Sequence, residues 1–431
     1  MLPGNRSALI GRCFATALAI GCCGVVQAQQ GYETPALGAV DFAPAELLKG
    51  PNHSVDEKIT LDGFMPRFTI RSPYGLWEAR GREMLGIRVA ELGAFVQLDK
   101  VSKSDEFKSA LGNAVAAPVK AAGELIERPG ETTSNVVSGI GTMLGRAGRF
   151  VGGAVTSVGD KVSGPEAEKR QISKPVPLEK GTAPPRSVIS DPLGYNSQRR
   201  EWAKRLNVDP YTSNGPLSDK LGDFASVTFA GTFAVETTIG IVAAPLQYTV
   251  AANEQGKLEA YQYPPSDVEK RNEDRLKKMG IEGRPVRDFF RNDYFTPTLQ
   301  TTLVLALESL GDAAGRGDLV TYATNAASEV EARFVNNCVL LLAQYGRTSA
   351  LIVKVRSINN VIAGETRDGR LVIPVAVDYV AWTQVVNDFA GRPDLKGASR
   401  QLLIAGTATE RAKRELAARG WTVSDKLAGA K

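Results

Sequence analysis

Histidine is almost missing from this 431-residue chain: His53 is the only one. Cysteine is nearly as scarce, and three of its four copies, Cys13, Cys22 and Cys23, fall in the first 28 residues. Beyond them only Cys338 remains, so no internal disulfide can staple the rest of the chain and packing must hold it. One imidazole and one thiol cannot complete a structural zinc site, which takes four ligands of those types. A Ser-His-Asp triad would have to recruit His53 from the irregular stretch GPNHSVDE, where nothing orients the ring. Cys338 shares a helical stripe with Val330, Phe334, Leu341, Leu342 and Tyr345, the placement of a small buried hydrophobe.

Sequence motifs that bind phosphate or carry nucleophiles are missing too. There is no G-x-x-x-x-G-K-[ST], G-x-S-x-G, S-x-x-K or H-E-x-x-H. The glycines from Gly139 to Gly145 sit inside a helical pattern instead of following a strand, which excludes a dinucleotide loop. Charge is close to balanced, with 52 Lys plus Arg against 47 Asp plus Glu, too even for a nucleic-acid binder. No metal and no other cofactor is expected.

Residues 1 to 28 have the layout of a secretion signal. Arg6 and Arg12 precede an apolar run from Phe14 to Val26, and Val26-Gln27-Ala28 offers small residues for cleavage before Gln29. The run is shorter than the roughly 20 residues needed to span a bilayer. Export to the periplasm or outside the cell is the expectation; the alternative is a lipoprotein cut before Cys22.

The remainder divides by pattern. Residues 29 to 57 read as an irregular lead-in. Residues 58 to 163 hold a small strand pair turning at Asp62-Gly63, then amphipathic helices rich in Gly and Ala. One helix is expected from about Leu76 to Val101. Seven glycines interrupt the helical pattern of residues 131 to 162, each weakening a helix by roughly 0.5–1 kcal/mol, so that stretch needs a packing partner or a membrane surface. Six prolines mark a linker over 164 to 192. Residues 193 to 350 read as a helical domain, with Thr296-Pro297 starting one helix. Residues 351 to 431 read as an α+β unit: a hairpin turning at Asp368-Gly369, a helix over about 378 to 390, then a strand–helix–strand with Thr407 and Glu410 as a capping box. The expected fold class is therefore mainly α, with a small α+β C-terminal part made of a β-hairpin and a strand–helix–strand unit.

Two sets of residues are candidates for function. Arg146 and Arg149 in the glycine-rich stretch, with Arg199, Arg200 and Trp202 in the basic segment QRREWAKRL, could contact a membrane surface or a partner protein. Glu236 is the one charge between Phe224 and Asn253; if buried, its raised pKa would suit a general acid. The shortages favour an exported cell-envelope protein acting as a non-catalytic binding or scaffolding module on a partner protein or membrane surface. The alternative is a carboxylate-dependent hydrolase of an envelope polymer.

Overall fold

The computed structural model describes residues 31 to 116, 195 to 230 and 251 to 427. Among them are thirteen α-helices and twelve strands in three sheets, so the expectation of a mainly α chain with β structure confined to its C-terminal part is corrected. The sheet that overturns it lies near the N-terminus. A short helix α1 (Ala45–Leu48) leads into strands β1 (Lys49–Gly50), β2 (His53–Val55), β3 (Thr60–Asp62), β4 (Met65–Ser72) and β5 (Gly75–Arg80). All pairings are antiparallel, and β4 pairs with β2, β3 and β5.

Residues 76 to 80 belong to that sheet and not to a helix. Trp77 and Ala79 are buried while Glu78 is exposed, the period of two that defines a half-buried strand. Gly81, at φ 85°, separates the strand from helix α2 (Arg82–Ser102). Phe68 and Ile70 of β4 and Trp77 of β5 fill the sheet's covered face against Met84, Leu85, Leu92 and Val96 of α2. Full burial of each such side chain stabilises the fold by roughly 1.5–3 kcal/mol.

Helix α2 also serves a second core. Its Ala94 and Leu98 pack with Phe107 of α3 (Asp105–Ala116), Trp202 of α4 (Tyr195–Arg205), and Leu217, Leu221 and Phe224 of α5 (Gly215–Phe229). A third and larger core joins α7 (Pro265–Lys278), α8 (Arg284–Phe290), α9 (Pro297–Glu308), α10 (Arg316–Ala323) and α11 (Glu329–Thr348) to the C-terminal sheet. Helix α6 (Ala251–Gln262) lies along α9, where the oxygen and backbone of Thr298 and Thr302 approach within 3.2 Å of where a Cβ on Gly256 would stand. The start of α9 follows the sequence reading: Thr296 accepts from the Leu299 N–H, and Pro297 takes the first helical position.

The C-terminal sheet has the order β12-β10-β8-β7-β6. Strands β6 (Ile352–Ile358), β7 (Val361–Thr366) and β8 (Leu371–Val375) form an antiparallel meander, with Asp368-Gly369 in the turn between the last two and Gly369 at φ 79°. Strand β10 (Arg400–Ile404) runs parallel to β8 and to β12 (Trp421–Ser424). Every residue of β8 is buried, as expected of an inner strand covered on both faces. Pro374 is tolerated there because β7 pairs only as far as Val372.

Two further strands, β9 (Tyr379–Val380) and β11 (Thr407–Ala408), pair in parallel beyond the main sheet. Their backbones meet so closely at Gly406 that a Cβ there would stand 1.9 Å from the Asp378 carbonyl oxygen. The expected helix over 378 to 390 starts later, as α12 (Gln384–Ala390) capped by Thr383. Likewise the cap of α13 (Glu410–Ala418) is Thr409, which accepts from the Ala412 N–H, because Thr407 is taken up in β11.

Asp378, just before β9, ties the C-terminal unit to α2 by accepting the N–H of Arg82, the helix's first residue, at 2.7 Å. Burial pushes its carboxyl up to about 6, against the opposing pull of that N–H and of the Arg82 charge. Below about pH 4 the carboxyl is protonated in folded and unfolded chains alike. As pH rises from there through 6, the unfolded chain ionises first, so the fold loses stability. Asp378→Asn keeps an oxygen for the Arg82 N–H and removes the buried charge. It should stabilise the protein by about 1–2 kcal/mol at pH 8 and by almost nothing at pH 4. Urea unfolding at the two pH values reads the difference.

Candidate functional site

Glu236, Arg146 and Arg149 lie outside the described residues. Arg199, Arg200 and Trp202 share α4, and there they turn inward. Trp202 is 1% exposed and donates its indole N–H to the Thr228 hydroxyl at 2.9 Å. Arg199 donates to the Pro210 and Ser218 carbonyls and to the Ser218 hydroxyl. Arg200 is buried beside Tyr211, whose phenol burial pushes up to about 12 against the pull of that guanidinium. These groups hold α4 against α5 and the preceding turn; they do not form an outward basic face.

His53 sits in β2, half-buried, with Nε2 3.1 Å from the Leu47 carbonyl oxygen, so a hydrogen bond there makes Nε2 the donor. Cys338 is buried in α11, and desolvation pushes its thiol up to about 12, out of range of an active thiolate. Among the described residues no three His, Cys, Asp or Glu side chains are grouped to hold a metal ion. Among the same residues no helix is long and apolar enough to cross a membrane.

Two concave places stand out among the described residues. The first is a buried polar junction where α2, α11 and the turn 207 to 214 meet. Arg333 of α11 donates to Glu329 Oε1 at 2.8 and 2.9 Å and to Glu83 Oε1 at 3.0 Å. Arg88 of α2 donates to Glu91 at 2.5 Å and to the Ser213 hydroxyl at 2.9 Å, and lies 3.5 Å from Glu329. The Thr212 hydroxyl and the Asn214 amide donate to Glu91, the Asn337 amide to Glu83, and the Ser213 hydroxyl to Glu329. Burial alone would raise the Glu329 carboxyl, but Arg333 and Arg88 hold it down to about 2.

Beside this cluster Asp209 is pushed up by burial, although the Tyr211 N–H and the Thr298 hydroxyl donate to it. A cavity of about 60 Å³ opens here between Asp209, Glu91, Lys257, Thr298 and Arg333. It has room for a few waters and is far below the roughly 300–1,000 Å³ of ligand pockets. The carboxylates bordering it are engaged, Glu91 and Asp209 by a guanidinium, hydroxyls, an amide or a backbone N–H, and Glu254 by the Lys257 ammonium.

The second place is an open cleft of about 580 Å³ on the C-terminal unit, within the ligand-pocket range. It is lined by Gly31, Tyr32, Trp382, Asn387, Arg411, Glu415 and Arg419. The chain near residue 31 is fixed to this unit by Glu33. Its N–H donates to the Trp382 carbonyl at 2.7 Å, and its Oε2 accepts from the Trp382 N–H and the Thr409 hydroxyl at 2.6 and 2.7 Å.

Arg411, Glu415 and Arg419 recur at intervals of four along α13 and its C-terminal cap, which places them on one face. Arg419 stacks on the Trp382 ring at 4.5 Å and donates to Glu415 Oε2 at 2.8 Å and Asn387 Oδ1 at 3.0 Å. Glu415 Oε1 and the Arg411 guanidinium have no partner among the described residues. Tyr32 is 41% exposed at the cleft.

No protein-family model, curated protein or solved structure matches the chain. The sequence alone singles out none of the cleft residues. The four-residue spacing of Arg411, Glu415 and Arg419 is visible in it, whereas the approach of Tyr32 and Trp382 joins positions about 350 residues apart and has no local signal.

Removing one partner from a buried ion cluster leaves the others charged and unpaired, which costs roughly 3–5 kcal/mol. Arg333→Met should therefore destabilise the protein by about that amount. Arg414→Met, on the exposed face of α13, should change stability by less than about 0.5 kcal/mol. Urea unfolding at pH 7 compares the two.

Proposed function

We propose that this chain is an exported, non-catalytic binding protein of the cell envelope, and that it engages its partner through the cleft beside Trp382. Export is supported by the signal-like layout of residues 1 to 28. The observation that carries the binding role is the lining of the cleft. Guanidiniums, aromatic rings and one carboxylate surround it, groups that hold a ligand by charge and stacking. Neither group that would serve imidazole or thiolate chemistry borders it: His53 is in β2 and Cys338 is inside α11.

Incubating residues 29 to 431 with isolated cell envelopes tests the role. The protein should sediment with them and release no soluble polymer fragments. Tyr32→Ser, at an exposed position in the cleft, should lower the retained fraction severalfold without changing the thermal midpoint. Release of fragments that stops in Glu236→Gln would replace the binding role with the carboxylate hydrolase.

A further inference from the structure

The ligand's chemistry follows from the charges that the cleft leaves unused. Arg419 is engaged on three sides, by Trp382, Glu415 and Asn387. Arg411 has no such engagement among the described residues, yet it borders the same open volume. A guanidinium presents a planar fork of donors that matches the two oxygens of a carboxylate. One turn along the same face, Glu415 Oε1, with no partner among the described residues, is an acceptor for an N–H. Two arginines and one glutamate give the lining a net charge of +1, which a monoanion balances and a phosphate monoester would exceed.

We infer that the cleft recognises the α-carboxylate of an amino acid or peptide, with Arg411 taking the carboxylate and Glu415 taking the adjacent N–H. The inference rests on the binding role proposed above and adds the chemical class of the ligand. Trp382 and Arg419 form the rigid wall against which the ligand lies, because the stacked guanidinium is fixed at both ends. The Tyr32 ring borders the cleft from the other chain segment.

The probes are N-acetyl-glycyl-alanine, its C-terminal amide, free alanine and inorganic phosphate. Each is titrated into residues 29 to 431 by isothermal titration calorimetry. The peptide acid should bind at least tenfold more tightly than its amide, as expected for loss of one charge-assisted pair. Arg411→Gln should lower affinity for the acid at least tenfold, and Arg414→Gln, which removes the same charge from the exposed face of that helix, by less than twofold. Thermal midpoints confirm that both variants fold. Free alanine binding as tightly as the peptide acid would place a free amino acid in the site; weaker binding would place a peptide end there. Equal binding of acid and amide, an unaffected Arg411→Gln, or tighter binding of phosphate than of the acid overturns the inference. If the probes fail but wild-type protein still sediments with envelopes and Tyr32→Ser does not, the binding role stands and only its chemistry falls.

Discussion

The fold depends on the ion cluster centred on Arg333. Helix α2 joins two of the three apolar cores, its first turns facing the N-terminal sheet and its later turns α3, α4 and α5, while Phe64, Met65 and Val330 bring the sheet's core against the largest one. Arg333 extends from α11, in the largest core, and binds Glu83 on α2 and Glu329 on its own helix. Arg88 and the hydroxyl of Ser213 carry the chain of contacts on to the 207 to 214 turn. A buried charge cluster of this sort adds little net energy, because desolvation offsets most of the attraction. What it constrains is docking: a rearrangement that parted Arg333 from Glu83 and Glu329 would leave buried charges unpaired.

That dependence explains which parts of the structure were legible in the sequence. Elements defined by local rules came through: the Asp62-Gly63 and Asp368-Gly369 turns, the Thr296-Pro297 helix start, and the strand–helix–strand of β10, α13 and β12. The N-terminal sheet was underread because β1, β2 and β3 have only two or three residues each, too few to show a period. The stretch Leu76–Arg80 was misread because its apolar residues run on into those of α2, and only the left-handed Gly81 divides them. The buried cluster was not legible at all. Glu83, Arg88, Ser213 and Arg333 are ordinary charged and polar residues in sequence, and only tertiary pairing sets them apart.

The basic segment of α4 shows the same limit from the other direction. Arginines beside a tryptophan suggest an amphipathic face for a membrane or partner, yet Trp202 belongs to a core and Arg199 ties down a neighbouring turn. Composition identifies which groups are present; whether a guanidinium works outward or inward depends on which acceptors the fold brings to it. Arg411 and Arg333 make the contrast plain. Arg333 is surrounded by acceptors on α2 and α11 and is spoken for, whereas Arg411 stands at a cleft with no partner among the described residues.

The cleft exists only where distant parts of the chain converge. Tyr32 reaches it because Glu33 bonds to Trp382 and Thr409, positions 349 and 376 residues away. The N-terminal sheet that follows Tyr32 is held in turn by the Arg82–Asp378 contact and by Glu83 on Arg333. Loosening the buried cluster should therefore be felt at the cleft, even though no residue of the cluster touches it. With Cys338 the single cysteine among the described residues, polar contacts of this kind are what hold these distant segments in register. A cleft built from segments some 350 residues apart then takes its shape only when the whole fold is closed, which would couple the binding proposed there to correct assembly of all three cores.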